Sequence, residues 1–235
     1  MIREFRRRGG RKINPQSITR SEAKTSNMTA LIHYLFIFYC VWAFKELILA
    51  KYFYTYGEPQ SALIEALLKI FIWIVPAWLY IKYYIFENPI TYLKLNVQMK
   101  KGMIWGFTLS LLLAVYFIIE VYILHERVFH FLLTLDSCLN TFILAGITEE
   151  LVFRGLILQE INRRTGFWKA NGITSLLFLF IHYPVWIHNG EFFNWGSHVN
   201  IFILSLFFGF VYKKTGSMWS VVILHSFYNF FLIII

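Results

Sequence analysis

Apolar residues run along this chain in long blocks, with no strand-like alternation and no narrow amphipathic stripes. Long apolar blocks separated by short polar breaks predict helices that cross a bilayer. The hydrocarbon core is about 30 Å thick and takes about 20 helical residues to span. Seven spans fit the pattern, roughly at 29–50, 61–85, 102–124, 137–160, 171–187, 198–212 and 217–235. The fifth and sixth are the shortest. Residues 125–136 read as a short extra helix at the surface. Pro76 falls inside the second span and predicts a kink, which membrane helices tolerate. Pro184 falls near the end of the fifth.

Charge placement orients these spans. Of the 22 Lys and Arg residues, 17 fall in the N-terminal segment and in the loops after spans two, four and six. The alternate loops hold only Lys51 and Arg127. Basic residues collect on the cytoplasmic side, so the expected fold is an all-α polytopic bundle of about seven spans with a cytoplasmic N-terminus. The segment MIREFRRRGGRK resembles the start of a signal peptide, but no small-residue cleavage site follows. It reads instead as a basic tail before an uncleaved first helix. The expected organisation is a basic cytoplasmic tail at 1–28, N-terminal membrane helices at 29–136 and a catalytic membrane core at 137–235.

Composition agrees with a membrane protein. Of 235 residues, 58% are hydrophobic and only 15% charged, against about 45–50% and about 25% in soluble domains. Lipid can solvate that excess. The net charge of +9 is explained by the loops, and no basic folded module is present to bind nucleic acid. Cys40 and Cys138 have neither metal-like spacing nor a disulfide pattern.

Against this background the in-span ionisable groups carry the chemistry. Insertion scales put the cost of a central Asp, Lys or Arg at about 2.5–3.5 kcal/mol. The fourth span contains Glu149, Glu150 and Arg154, the fifth contains His182, and the seventh contains His225 and Asn229. Glu149, His182 and His225 each lie 10 or 11 residues from the inner ends of their spans. At 1.5 Å per residue this is roughly 15–17 Å, near mid-bilayer. Three helices thus bring polar groups to one level. A lone buried His or Asn often only glues membrane helices together, but two adjacent acids make poor glue.

Spacing within the helices suggests roles. Glu150 and Arg154 are four apart and can pair, as His225 and Asn229 share a face. Glu149 points about 100° away from Glu150 and can serve a different partner. Two neighbouring carboxylates in low dielectric do not both stay ionised without a cation. A Glu so placed can act as a general base towards water. His182 and His225 could hold that water, bind a metal or donate to an oxyanion, and Asn229 can donate without titrating.

Other patterns are weaker. The segment His125-Glu126-Arg127-Val128-Phe129-His130 has its histidines five apart, where a zinc protease helix needs four. His188, Glu191 and His198 share an outer loop where a metal could bind. No G-x-S-x-G serine elbow is present.

At three places the sequence resembles a known family. Glu149-Glu150-Leu151-Val152-Phe153-Arg154 fits an EExxxR motif, Phe178-Leu179-Phe180-Ile181-His182 an FxxxH motif, and His225-Ser226-Phe227-Tyr228-Asn229 an HxxxN motif. Their order and placement on successive helices resemble the CPBP group, the CAAX proteases and bacteriocin-processing enzymes also called the Abi family. The resemblance covers about residues 137–235. It implies an intramembrane endopeptidase in which Glu149 activates water together with His182. Glu150 and Arg154 would support the site, and His225 and Asn229 would stabilise the oxyanion. It leaves open whether a metal is used: Glu149, His182 and His225 could ligate zinc, while the favoured form needs no cofactor. The expected substrate is a membrane-associated peptide or protein, cut in the inner half of the bilayer at a site open to the cytoplasm or laterally. A prokaryotic cell membrane and a role in peptide maturation or bacteriocin immunity are expected by association. The rival expectations are a non-catalytic membrane partner and a proton-coupled carrier. Oligomeric state is not legible.

Overall fold

In the computed structural model, residues 15–53, 55–131 and 133–235 are described, with side chains from residue 28 onwards. Residues 1–14 of the expected basic tail lie outside the described residues. The described residues are almost wholly helical, with no strand among them. This follows from the composition, because a helix satisfies its own backbone polar groups where water is absent.

Seven helices correspond one for one to the seven expected spans. They are α1 (Met28–Phe53), α2 (Glu58–Ile85), α3 (Met99–Tyr122), α4 (137–165), α5 (Phe167–Asn189), α6 (Trp195–Thr215) and α7 (Met218–Ile234). The backbone of α1 is already helical from Pro15. Five of the seven are long and apolar enough to cross a membrane. The exceptions are α4, which carries the charged residues, and the shorter α7. Large apolar side chains such as Phe36, Phe71, Ile104 and Leu111 point outwards, a surface that lipid solvates and water does not.

Contacts fix which helix ends lie together. At one end Arg163 pairs with Glu87 at 3.3 Å, Tyr92 donates to Glu160 at 2.6 Å, and the Trp219 indole donates to the Leu95 carbonyl at 2.8 Å. At the other end the His130 amide donates to the Ile234 carbonyl at 2.7 Å, and the Asp136 amide donates to Glu58 at 3.1 Å. Successive helices run between these two ends in opposite directions. The first end holds the basic loops.

Small residues set the closest approaches. Gly102, Gly106 and Ser110 recur every fourth residue along α3 and are buried, and both glycines face Ser217, Ser220 and Ile223 of α7. This is the small-xxx-small packing of membrane helices. Gly146 of α4 meets α7 in the same way. A Cβ there would stand 3.0 Å from the Ser226 amide nitrogen and 3.1 Å from the Val222 carbonyl oxygen. Backbone cannot step aside as a side chain can. Gly146→Ala is therefore expected to push α4 from α7 and cost about 1–3 kcal/mol, read as a lower midpoint of thermal unfolding in detergent. An unchanged midpoint would rule out that close approach.

Helices α1, α2 and α4 depart from regular α geometry, α1 with π-type turns at Lys45–Leu49. Helix α2 makes π-type turns at Ile70–Ile74, directly before Pro76, whose ring nitrogen has no hydrogen to donate. Helix α4 makes them at Ser137–Ala145 and Leu151–Ile157, on either side of Gly146–Glu150. The expected short helix at 125–136 is absent: among the described residues, 125–134 are irregular and helix begins only at 135. His125 has a positive φ of 56° there, and the Arg127 side chain turns back to Glu120 at 3.2 Å.

Candidate active site

Helix α4 presents its carboxylates in two directions. Glu150 and Arg154 point into the protein and are fully buried. Arg154 Nη1 donates to Glu150 Oε1 at 2.9 Å, while its Nη2 donates to the carbonyl and hydroxyl of Ser205 on α6 at 2.8 and 2.7 Å. The guanidinium also lies 4.7 Å from the ring centre of Phe178 and 5.5 Å from that of Phe208. A charge this deep is tolerated only because it is paired, hydrogen-bonded and stacked.

Glu150 then reaches across to α7. Its Oε1 lies 2.8 Å from Nδ1 of His225. Glu150 accepts from Arg154 as a carboxylate, so Nδ1 carries the proton in this contact. That leaves Nε2 of His225 facing Glu149, 3.9 Å from its Oε2. Asn229, one turn further along α7, donates from Nδ2 to the Thr141 carbonyl of α4 at 3.0 Å. Its second amide hydrogen is not engaged by that bond.

The placement of His182 comes from Pro184. A proline cannot donate to the carbonyl one turn earlier, and α5 breaks at Ile181–His182 before resuming at Tyr183–Asn189. In the break the His182 amide donates to the Leu179 carbonyl at 3.1 Å, three residues back rather than four. The Phe178 carbonyl that this frees lies 2.9 Å from Nδ1 of His182. A carbonyl only accepts, so Nδ1 must be the protonated nitrogen, and neutral His182 keeps its lone pair on Nε2.

These groups share one space. A cavity of about 430 Å³ is lined by Glu149, His182, His225 and Asn229, with Glu150 and Arg154 behind its wall. All six residues singled out in the sequence therefore converge. Three details differ from expectation. The first is Lys69 of α2, which the sequence reading passed over: its Nζ lies 3.7 Å from Glu149 Oε1 and donates to the Asn140 carbonyl at 3.3 Å. The second is a set of in-span charges beside it on the cavity wall, with Lys45 paired to Glu46 at 3.0 Å and to Glu65 at 3.3 Å. The in-span cost argument that singled out Glu149 applies equally to Lys45, Glu46, Glu65 and Lys69, and Glu65 and Lys69 even stand four apart. The third is the cavity's location in the half of the bundle away from the basic loops, whereas a site in the half nearer them was expected.

Among the described residues no three His, Cys, Asp or Glu side chains stand close enough to hold an ion, Glu149, His182 and His225 included. His198, expected in the outer loop, lies in the first turn of α6 with Nε2 2.7 Å from the Phe192 carbonyl, packed among Tyr183, Trp186, Phe192 and Trp195.

Comparison with known proteins adds a family. No curated protein and no solved structure matches the chain. Residues 131–231 match the model of a family described as type II CAAX prenyl endopeptidase, Rce1-like. All three motifs, and every cavity-lining group from α4, α5 and α7 named above, fall inside that stretch. Residues 131–231, somewhat under half of the chain, are thus similar to the Rce1-like family.

Proposed function

We propose that this chain is a membrane-embedded endopeptidase in which Glu149 activates a water molecule for attack on a peptide carbonyl. The observation that carries this reading is the convergence of Glu149, His182, His225 and Asn229 on one cavity, backed by the buried Glu150–Arg154 pair. Nε2 of His182 accepts one hydrogen of the water and orients it. Glu149 takes the other as the oxygen attacks, forming the new C–O bond. The carbonyl oxygen becomes an oxyanion facing the free amide hydrogen of Asn229, and Nε2 of His225 when that ring is protonated. Glu149 then passes its proton to the departing nitrogen, and the C–N bond breaks. Glu150 holds His225 by Nδ1 and Arg154 holds Glu150, so neither needs to touch substrate.

Lys69 has a place in this scheme. Its ammonium stands 3.7 Å from Glu149 Oε1 and holds that side chain in place on the cavity wall. Lys69→Met is expected to lower kcat/KM at least about tenfold, which corresponds to about 1.4 kcal/mol of transition-state stabilisation, with the protein still inserted. Unchanged kinetics would remove Lys69 from the reaction.

The decisive experiment is digestion of peptides by purified protein in detergent, with the products read by mass spectrometry. A prenylated peptide with a CAAX terminus and an unmodified peptide library separate the two substrate classes. Wild type and Glu149→Gln are compared, each with and without chelator. Cleavage by wild type that persists with chelator and vanishes in the variant supports the reading. Equal cleavage by both proteins sinks it, and loss on chelation alone transfers the chemistry to a metal.

A further inference from the structure

We propose that substrate enters this cavity from the non-cytoplasmic side of the membrane, so that the bond cut belongs to a peptide segment already carried to that side. The substrate class rests on the endopeptidase reading above; the sidedness rests on the structure and on charge.

All the helices except α3 contribute to the cavity, each from the half of its length nearer the same end. Lys45 lies in the last third of α1, Lys69 in the first half of α2, and Glu149 in the first half of α4. His182 lies in the last third of α5, Ile201 in the first third of α6, and Asn229 and Leu232 in the second half of α7. Because successive helices run in opposite directions, all these halves sit at the end where His130 meets Ile234 and Asp136 meets Glu58. Towards the opposite end the way is closed. Phe153, Leu156, Ile157, Met218 and Val221 are fully buried there, together with Arg154. A peptide cannot pass through side chains packed this tightly.

Charge identifies the two ends. The loops and helix ends at the closed end hold nine Lys and Arg, eight more precede Met28 in the sequence, and the loops at the cavity end have only Lys51 and Arg127. That asymmetry places the closed end in the cytoplasm. The polar wall of the cavity, with Glu46, Glu65, Asp136 and Asn140 beside Lys45, then forms a wet inlet from the other side. In-span charges of this kind face water-filled space.

Cysteine accessibility tests the proposal without using activity. In the full chain with Cys40→Ser and Cys138→Ser, single cysteines are placed at three positions: Val128→Cys in the loop at the cavity end, Asn162→Cys at the basic end, and Thr141→Cys on the cavity wall. Spheroplasts of a bacterial host are treated with a charged, membrane-impermeant maleimide, before and after permeabilisation. The expected result is labelling of positions 128 and 141 in intact cells, and of 162 only after permeabilisation. Labelling of 162 but not 128 in intact cells would overturn the proposal, because the protein would then stand the other way up. Labelling of 128 without 141 would also overturn it, because the inlet would then be closed on that face. If wild type cleaves nothing in the digestion assay, the endopeptidase reading fails and this labelling pattern is unaffected.

Discussion

Glu149→Gln is expected to reduce peptide cleavage by about 10²–10⁴-fold, the usual contribution of a positioned general base, while leaving expression and insertion intact. The side chain keeps its size and its place on the cavity wall, so the packing of α4 is undisturbed. It loses only the ability to accept a proton from water and return it to the leaving nitrogen. The contact with Lys69, 3.7 Å away in the wild-type protein, becomes a charge–dipole contact and contributes less. His182→Ala should act on the same step by removing the acceptor that orients the water. The two effects should therefore combine less than additively, as expected for residues that act as a unit. Initial rates on a fixed peptide, normalised to folded protein by size-exclusion chromatography, decide the matter. A Glu149→Gln enzyme with more than about a tenth of wild-type turnover would exclude Glu149 as the base.

Arg154→Met is expected to be the most destabilising single substitution at the site. Arg154 and Glu150 are buried together, and among the described residues the guanidinium is the only full positive charge within hydrogen-bonding distance of Glu150 apart from a protonated His225. Removing one partner of such a pair leaves an uncompensated charge, which costs about 3–5 kcal/mol. The bonds to Ser205 and the stacking on Phe178 and Phe208 are lost as well. A thermal midpoint lower by roughly 10 °C is expected on the scale of domains of this size. The double variant Glu150→Gln, Arg154→Met removes both charges and should recover part of that loss. If Arg154→Met unfolds at the wild-type temperature, the pair does not hold the site together. If the double variant is less stable than the single one, the cost lies in lost packing and not in the stranded carboxylate.

The fold was legible in the sequence to an unusual degree, for a physical reason. In lipid every backbone polar group must be satisfied within its own segment, so each apolar block has one outcome available to it, a helix. Local sequence therefore decided where α1 to α7 lie, and the expected span limits fall within a few residues of the observed helix ends. The site was legible for a related reason. Each buried polar group in an apolar span carries a cost and stands out against its neighbours, and the pairing of Glu150 with Arg154 needs only helical spacing. Lys69 could have been found by the same argument but went unnoticed: Glu65 stands four residues before it on the same helix, while its partner Glu149 lies eighty residues further along the chain.

What the sequence by itself determined is the helical class, the order of the helices, the uneven distribution of basic charge and the polar groups set at one depth. The tertiary structure alone decided how those groups face one another. The kink at Pro184 leaves His182 protonated on Nδ1, and Gly146 lets α7 approach until His225 reaches Glu150. It also decided that the cavity sits in the half of the bundle away from the basic loops. Depth along a helix follows from counting residues, because the rise per residue is constant. The direction in which a cavity opens depends on which side chains fill the other half of the bundle, and that is settled only when α4, α6 and α7 pack together.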